Sequence, residues 1–357
     1  MRLAYRPGLQ QLRGVAVGLV VVHHLFPSFL PGGFIGVDVF FVLSGYLITR
    51  WLLFRSDYSW RELAKQFFLR RFLRIIPALV FMLIGVSAIS LFLLLPVELR
   101  YFGKHAVAAL VGAANITLWT EGGYFDQPAS EKPLLHLWSL GVEEQFYVVW
   151  PLILILCLQF AMKRRLDFSV VLVAVGSAIF FTSLGLSIWL TPIAPDFAFF
   201  MVFCRAWELV SGGLLALYMS RERNRQFNHH AVRGLLSLTT IGLVVASFAI
   251  SPEDGFPGGL ALIPVVLSVI AIASVESLGA AGADFSIGGR PLLFLGDISY
   301  ALYLWHWPLI VFMGLSLQGP LSSSAKISLA GLSVLIASVS TYWVENRFRH
   351  FPKTGKH

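Results

Sequence analysis

Charge is scarce in this chain. Only 13% of its residues are Asp, Glu, Lys or Arg and 57% are hydrophobic, whereas soluble domains carry roughly a quarter charged residues. With a mean hydropathy of +0.76, that shortage excludes an ordinary soluble domain. Cysteine is scarcer still. Cys157 and Cys204 are the two present, and both fall inside apolar runs; they read as buried free thiols and exclude a secreted disulfide framework. No internal repeat stands out, which weighs against the repeat-built transporter folds. Arg2, Arg6 and Arg13 precede the first apolar run, but no small-residue cleavage site follows it. That segment therefore reads as a retained first helix rather than a signal peptide.

What the sequence has instead is apolar runs of membrane-crossing length, about 20 residues each. They fall at 12–29, 34–54, 75–95, 138–160, 169–190, 197–219, 232–250, 258–275, 292–315 and 327–345. Nothing of domain size lies between them. The expected fold is one all-α integral membrane domain over 1–357, a bundle of about ten transmembrane helices.

The net charge of +8 could suggest nucleic acid, but its placement excludes that partner. Lys and Arg gather in alternate loops: Arg50, Arg55, Arg61, Lys65, Arg70, Arg71 and Arg74, then Lys163, Arg164 and Arg165, then Arg221, Arg223 and Arg225, then the tail after Arg347. The intervening turns at 27–33, 191–196, 251–257 and 318–324 contain neither. By the positive-inside rule both termini are cytoplasmic; only the loop at 276–290 is weakly charged for its side. Two loops are longer. The stretch 56–74, with Trp60, Phe67, Phe68 and Phe72 among basic residues, reads as an amphipathic interfacial helix. The stretch 96–137 reads as an ordered loop over the outer face and the expected seat of acceptor specificity.

Ionisable residues deep in a span cost about 2.5 kcal/mol or more and are functional candidates. Arg13 and His24 are eleven residues apart, about 16 Å along a helix and within about 20° of one face; His23 points elsewhere, and a histidine bonded to a neighbouring helix is the structural alternative. Asp38 follows a glycine-rich turn (Gly32, Gly33, Gly36) and could face His24, fixing its tautomer, or simply cap its own helix by the dipole. Glu143 and Glu144 enter the fourth run together, with Tyr147 on the face of Glu143. Arg205 and Glu208 are spaced for an intrahelical ion pair. In the ninth run an aromatic belt would explain Trp305 and Trp307 but not His306 beside Tyr300 and Tyr303. Arg70, Arg71 and Arg74 suit either positive-inside anchors or a phosphate clamp.

These residues lie in segments that resemble one family. Tyr5-Arg6-Pro7, Leu12-Arg13, His24 and the run Gly33 to Thr49 resemble the start of the acyltransferase-3 family of membrane O-acyltransferases. Arg70-Arg71-Phe72-Leu73-Arg74-Ile75-Ile76-Pro77, the run His136 to Tyr147, the run Gly296 to Pro308 and Tyr342-Trp343-Val344-Glu345 continue the resemblance in order along nearly the whole chain. The resemblance implies ten helices in a bacterial cytoplasmic (inner) membrane. It also implies transfer of an acyl group, commonly acetyl from acetyl-CoA, to hydroxyls of envelope glycans, peptidoglycan or secreted small molecules. The family's paired arginine and histidine fall on Arg13 and His24, and its Arg-x-x-Arg motif on Arg71 and Arg74. The sequence departs at His23, where an apolar or aromatic residue is usual, and in lacking an appended hydrolase-like domain.

The expected mechanism has acyl-CoA arriving from the cytoplasm as donor substrate, with no metal and no bound cofactor, and a glycan or lipid-linked saccharide as acceptor among the membrane lipids. Arg71, Arg74 and Arg13 would hold the donor's phosphates. His24, oriented by Asp38 or by Glu143, would be general base or transient acyl carrier. His136, Ser139, Arg205, Tyr303 and His306 would line the acceptor cavity or stabilise the oxyanion. The competing classes are a proton-coupled transporter or exporter, in which buried His, Asp and Glu relay protons, and a structural membrane subunit.

Overall fold

Inside lipid no water satisfies a backbone N–H or C=O, so an apolar run must close its hydrogen bonds within itself. The computed structural model describes residues 6–54, 60–121, 128–221, 228–278, 289–317 and 321–349, and every regular element among them is helical. The chain is an all-α, multi-pass membrane protein. Eight helical stretches, from Gly33–Leu53 to Ser323–Phe348, are long and apolar enough to cross a membrane. The first and eighth expected runs form α1 (Pro7–Leu25) and α11 (Leu262–Leu278). Gln10, Gln11, Arg13, His23 and His24 dilute the first, and the second is 17 residues long.

The remaining long helices are α2 (Gly36–Leu53), α3 (Trp60–Leu93), α6 (Trp138–Arg164), α7 (Phe168–Leu190), α9 (Val202–Arg221), α10 (His229–Ala249), α13 (Ser299–Leu317) and α14 (Ser323–Val339). Large apolar side chains face outward, among them Leu91 at 70% and Phe92 at 89% exposure. Such surface is stable against lipid and an aggregation hazard in water.

Alternate loops gather at opposite ends of the bundle. At one end Glu276 of α11 forms ion pairs with Arg6 (3.4 Å) and with Arg50 of α2, and Arg221 of α9 pairs with Asp167 before α7 at 2.9 Å. At the other end Gly32 N–H donates to the Ser247 carbonyl at 2.8 Å and Gly258 N–H to Thr191 at 3.0 Å. Parts of the basic loops, Arg55, Arg223 and Arg225 among them, lie outside the described residues, as do Tyr5 and the tail from residue 350.

The close packing that builds the site is permitted by glycine. A Cβ on Gly45 of α2 would lie 1.7 Å from the Leu209 carbonyl, and one on Gly212 of α9 would lie 2.0 Å from the Val42 carbonyl. The two helices therefore pack backbone to backbone. Gly36 likewise sits where a Cβ would meet the Ala16 carbonyl at 2.2 Å, seating α2 on α1.

Two expectations need correction. Residues 56–74 do not form a separate interfacial helix: from Trp60 they are the first turns of the 34-residue α3. Phe67 is buried against Trp51, with ring centroids 5.6 Å apart, while Phe68 and Phe72 are exposed. Arg71 and Arg74 thus ride on a spanning helix. The stretch 96–137 is not a loop but α4 (Pro96–Leu110), α5 (Ala114–Trp119) and two 3-10 turns, Ala129–Glu131 and Leu135–Leu137; Gly122 and Gly123 lie outside the described residues. Asn115 of α5 donates to the Phe200 carbonyl (3.0 Å) and accepts from Gln145 (2.8 Å), holding α5 against the bundle. Cys157 and Cys204 are free and buried.

Candidate functional site

Two adjoining cavities penetrate the bundle between α1, α2, α6, α9 and α13. The larger, about 160 Å³, is lined by His23, His24, Asp38, His136 and Arg205 and by a wall of aromatic rings, including Phe34, Trp138, Phe199 and Trp307. The smaller, about 90 Å³, is lined by Arg13, Arg71, Arg74, Ser44, Ser139, Glu143, Tyr147 and Ser299. The expected layering of α1 is realised: Arg13 opens into the second cavity and His24 into the first.

His24 is not paired with a carboxylate. Its Nδ1 lies 2.9 Å from Nε2 of His306, with the two rings stacked at 5.1 Å. His306 Nδ1 lies 3.0 Å from the Leu302 carbonyl. A carbonyl only accepts, so Nδ1 of a neutral His306 carries the proton and its Nε2 is bare. His24 must then donate through Nδ1, which leaves its own Nε2 as an unprotonated acceptor. Trp307 packs on the His24 ring at 4.6 Å. His23 is used elsewhere, its Nδ1 2.9 Å from the Leu30 carbonyl in the turn after α1.

His136 is placed by a proline. Pro308 in α13 has no N–H, so the carbonyl four residues back, Leu304, lacks its helical donor. His136 Nε2 supplies one at 3.1 Å, and its Nδ1 has no hydrogen-bond partner among the described residues. Tyr303 donates to the His136 carbonyl at 2.7 Å and receives a hydrogen bond from Ser139 at 2.7 Å.

Asp38 does not face His24. It lies 2.9 Å from Nη2 of Arg205, whose Nε is 3.1 Å from Glu208. The turn after α1 is short enough for the expected contact, but the glycine-mediated packing of α2 on α9 turns Asp38 toward α9. Arg205 is buried to 1% exposure, ringed by Phe41, Trp138, Phe199 and Phe256 at 5.3 to 5.9 Å. Its Nη1 has no hydrogen-bond partner among the described residues, and the residue lines the first cavity. Glu143 is no partner for His24 either. It accepts from Ser44 (3.0 Å) and, in a short contact, from Tyr147, and it lines the arginine cavity.

That cavity is a cationic recess. Arg13 donates from Nε and Nη2 to Ser299 at 3.1 and 2.8 Å. The Arg71 guanidinium stacks over the Tyr147 ring at 4.2 Å. Arg70 is exposed, its guanidinium carbon 5.9 Å from the Trp51 ring centroid. Among the described residues no cluster of His, Cys, Asp and Glu has metal-site geometry.

The ninth run corrects a further expectation. Trp305 and Trp307 are not an interfacial belt: Trp305 is buried against Gly85 of α3, and Trp307 Nε1 donates to the Lys132 carbonyl at 2.9 Å. Sequence reasoning missed Ser44 and Ser299 as partners, Trp307 as the cover of His24, and the pairing of His24 with His306. Only the unexplained His306 was a signal for the last of these.

Fold and site together define a polytopic membrane protein with a histidine-centred cavity backed by a cationic one. The chain belongs to the acyltransferase-3 family, whose acyltransferase domain profile matches residues 6–343. It is 33% identical over 358 residues to the peptidoglycan O-acetyltransferase OatA of Listeria monocytogenes, covering 97% of this chain and 56% of the relative. It is 34% identical over 360 residues to the O-acetyltransferase OatA of Staphylococcus aureus, covering 97% and 57%. The chain thus spans a little over half the length of these relatives. No solved structure matches it.

Proposed function

We propose that this domain transfers an acetyl group from a donor thioester, acetyl-CoA, to a hydroxyl of a cell-envelope glycan across a bacterial cytoplasmic membrane. The carrying observation is the bare Nε2 of His24, held by His306 in a cavity walled by aromatic rings. The names of the relatives support the reaction class, and the Listeria protein makes peptidoglycan the first acceptor to test. In this reading the basic end of the bundle faces the cytoplasm. Arg13, Arg71 and Arg74 hold the phosphates of the donor, for which guanidinium forks are well shaped.

The acceptor oxygen forms its bond to the acyl carbonyl carbon while His24 Nε2 takes the hydroxyl proton. Arg205 Nη1, a buried donor with no hydrogen-bond partner among the described residues, stabilises the oxyanion that develops. The carbon–sulfur bond then breaks, and the imidazolium returns its proton to the departing thiolate. His306 acts through His24 as a positioning residue. The aromatic wall suits a saccharide, which offers apolar C–H faces between its hydroxyls.

The test is release of CoA from acetyl-CoA by the protein in lipid nanodiscs supplied with peptidoglycan fragments. His24→Ala abolishes release while the protein still inserts and folds. Arg74→Ala raises the apparent KM for acetyl-CoA more than it lowers kcat. Turnover retained without His24 overturns the assignment.

A further inference from the structure

The two cavities share two lining residues, Val37 of α2 and Tyr303 of α13. If a thioester is held among the arginines and the hydroxyl is activated at His24, the acyl group must pass between those side chains. Neither can move aside easily. The Tyr303 hydroxyl is tied at 2.7 Å to both the His136 carbonyl and Ser139, and its ring is packed against His136, His306 and Phe40. Val37 is 7% exposed and follows Gly36, which holds α2 against the α1 backbone. As a β-branched residue in a helix it has essentially one side-chain rotamer.

We propose that Val37 and Tyr303 form a size filter that selects the acyl group: acetyl passes, and longer acyl chains are excluded. The proposal rests on the acyl-transfer reading and adds to it the residues that set donor specificity. The bonds exchanged are the same for every acyl group. The carbon–sulfur bond breaks, the carbon–oxygen bond forms, and the hydroxyl proton passes through His24 to the thiolate. Discrimination therefore arises from fit alone. One extra methylene in a tight hydrophobic slot changes kcat/KM by about 10- to 200-fold.

The experiment compares acetyl-CoA, propionyl-CoA and butyryl-CoA as donors to peptidoglycan fragments in nanodiscs, with ester products weighed by mass spectrometry. The unaltered protein prefers acetyl over propionyl by about tenfold or more. Val37→Ala, which removes the branch from the passage, raises the propionyl-to-acetyl ratio at least about tenfold. Val37→Ile lowers it, so the test survives if one variant folds poorly. A ratio unmoved in whichever of the two variants folds, or equal use of the three donors by the unaltered protein, overturns the filter and leaves the acyl-transfer reading standing. Failure of the unaltered protein to transfer any of the three groups overturns both.

Discussion

Glu121 and Arg205 are each the centre of a buried ion cluster, at 7% and 1% exposure, yet their surroundings differ. Glu121 follows α5, beyond the bundle's non-basic end, and two lysines and a histidine face it: Lys104 at 2.9 Å, His105 at 2.6 Å and Lys132 at 3.2 Å. Both of its carboxylate oxygens are bonded, and the cluster ties α4 to the segment whose Lys132 carbonyl receives Trp307. Arg205 lies inside the bundle with the ratio reversed, one guanidinium between two carboxylates, Asp38 and Glu208, both fully buried. It keeps a donor nitrogen with no hydrogen-bond partner among the described residues at the wall of a cavity. A closed cluster fastens one part of a fold to another. An open one beside a cavity retains bonding capacity for something not part of the chain, at the expense of stability.

The largest effect expected from breaking this comparison is at Arg205. Arg205→Leu leaves two buried carboxylates without their cation and costs about 3–5 kcal/mol, read as a large fall in the thermal midpoint in nanodiscs. Combining it with Asp38→Asn and Glu208→Gln restores the midpoint but not CoA release. Recovery of activity as well would make the cluster structural only. Glu121→Gln is milder, about 1–3 kcal/mol, because the amide keeps an oxygen acceptor in the same place and Lys104 is half-exposed to water. It slows turnover by loosening the support of Trp307 on His24, and an unchanged rate would separate the outer cluster from the site.

The smallest effect is in acid. Burial pushes the Glu121 carboxyl up, but hydrogen bonds from Lys104 and His105 and the neighbouring Lys132 outweigh it, leaving its pKa below the ordinary value. A carboxyl depressed on folding contributes stability at pH above its unfolded pKa, about 4.3 for Glu, and loses it as pH falls through the folded value. Protection of the α4 amides, measured against their intrinsic exchange rate at each pH, should therefore fall below about pH 4.3 in the unaltered protein. The acid dependence should be weaker in Glu121→Gln, and identical profiles would remove Glu121 as its cause.

Much of this was legible along single helices. Arg13 and His24 share a face of α1 because helical geometry repeats nearly in phase after eleven residues, and each opens into a different cavity. The spacing of Arg205 and Glu208 anticipated their ion pair, and that of Glu143 and Tyr147 their hydrogen bond. Pairings between helices were not legible. A short turn brings α1 and α2 together without setting the rotation of α2 about its axis, so Asp38 could be placed near His24 but not aimed. The mixed basic and aromatic pattern of 56–74 fits an interfacial helix and the buried start of a long span equally well. Trp305 and Trp307 look like a belt because composition does not report that Trp305 packs into the bundle against Gly85 or that Trp307 has a backbone carbonyl to meet.

Local chemistry was settled by residue order alone: a scarcity of charge that only lipid tolerates, runs long enough to cross it, and titratable groups at intervals that place them on particular helix faces. Those properties depend on neighbours a few positions away, where helical geometry is rigid. The partner of His24, the division into two cavities and the wall of Val37 and Tyr303 that the cavities share depended on the packed bundle. They arise from contacts between residues hundreds of positions apart, such as His24 with His306 (282 apart), whose mutual orientation is set by how closely glycine lets one helix approach another.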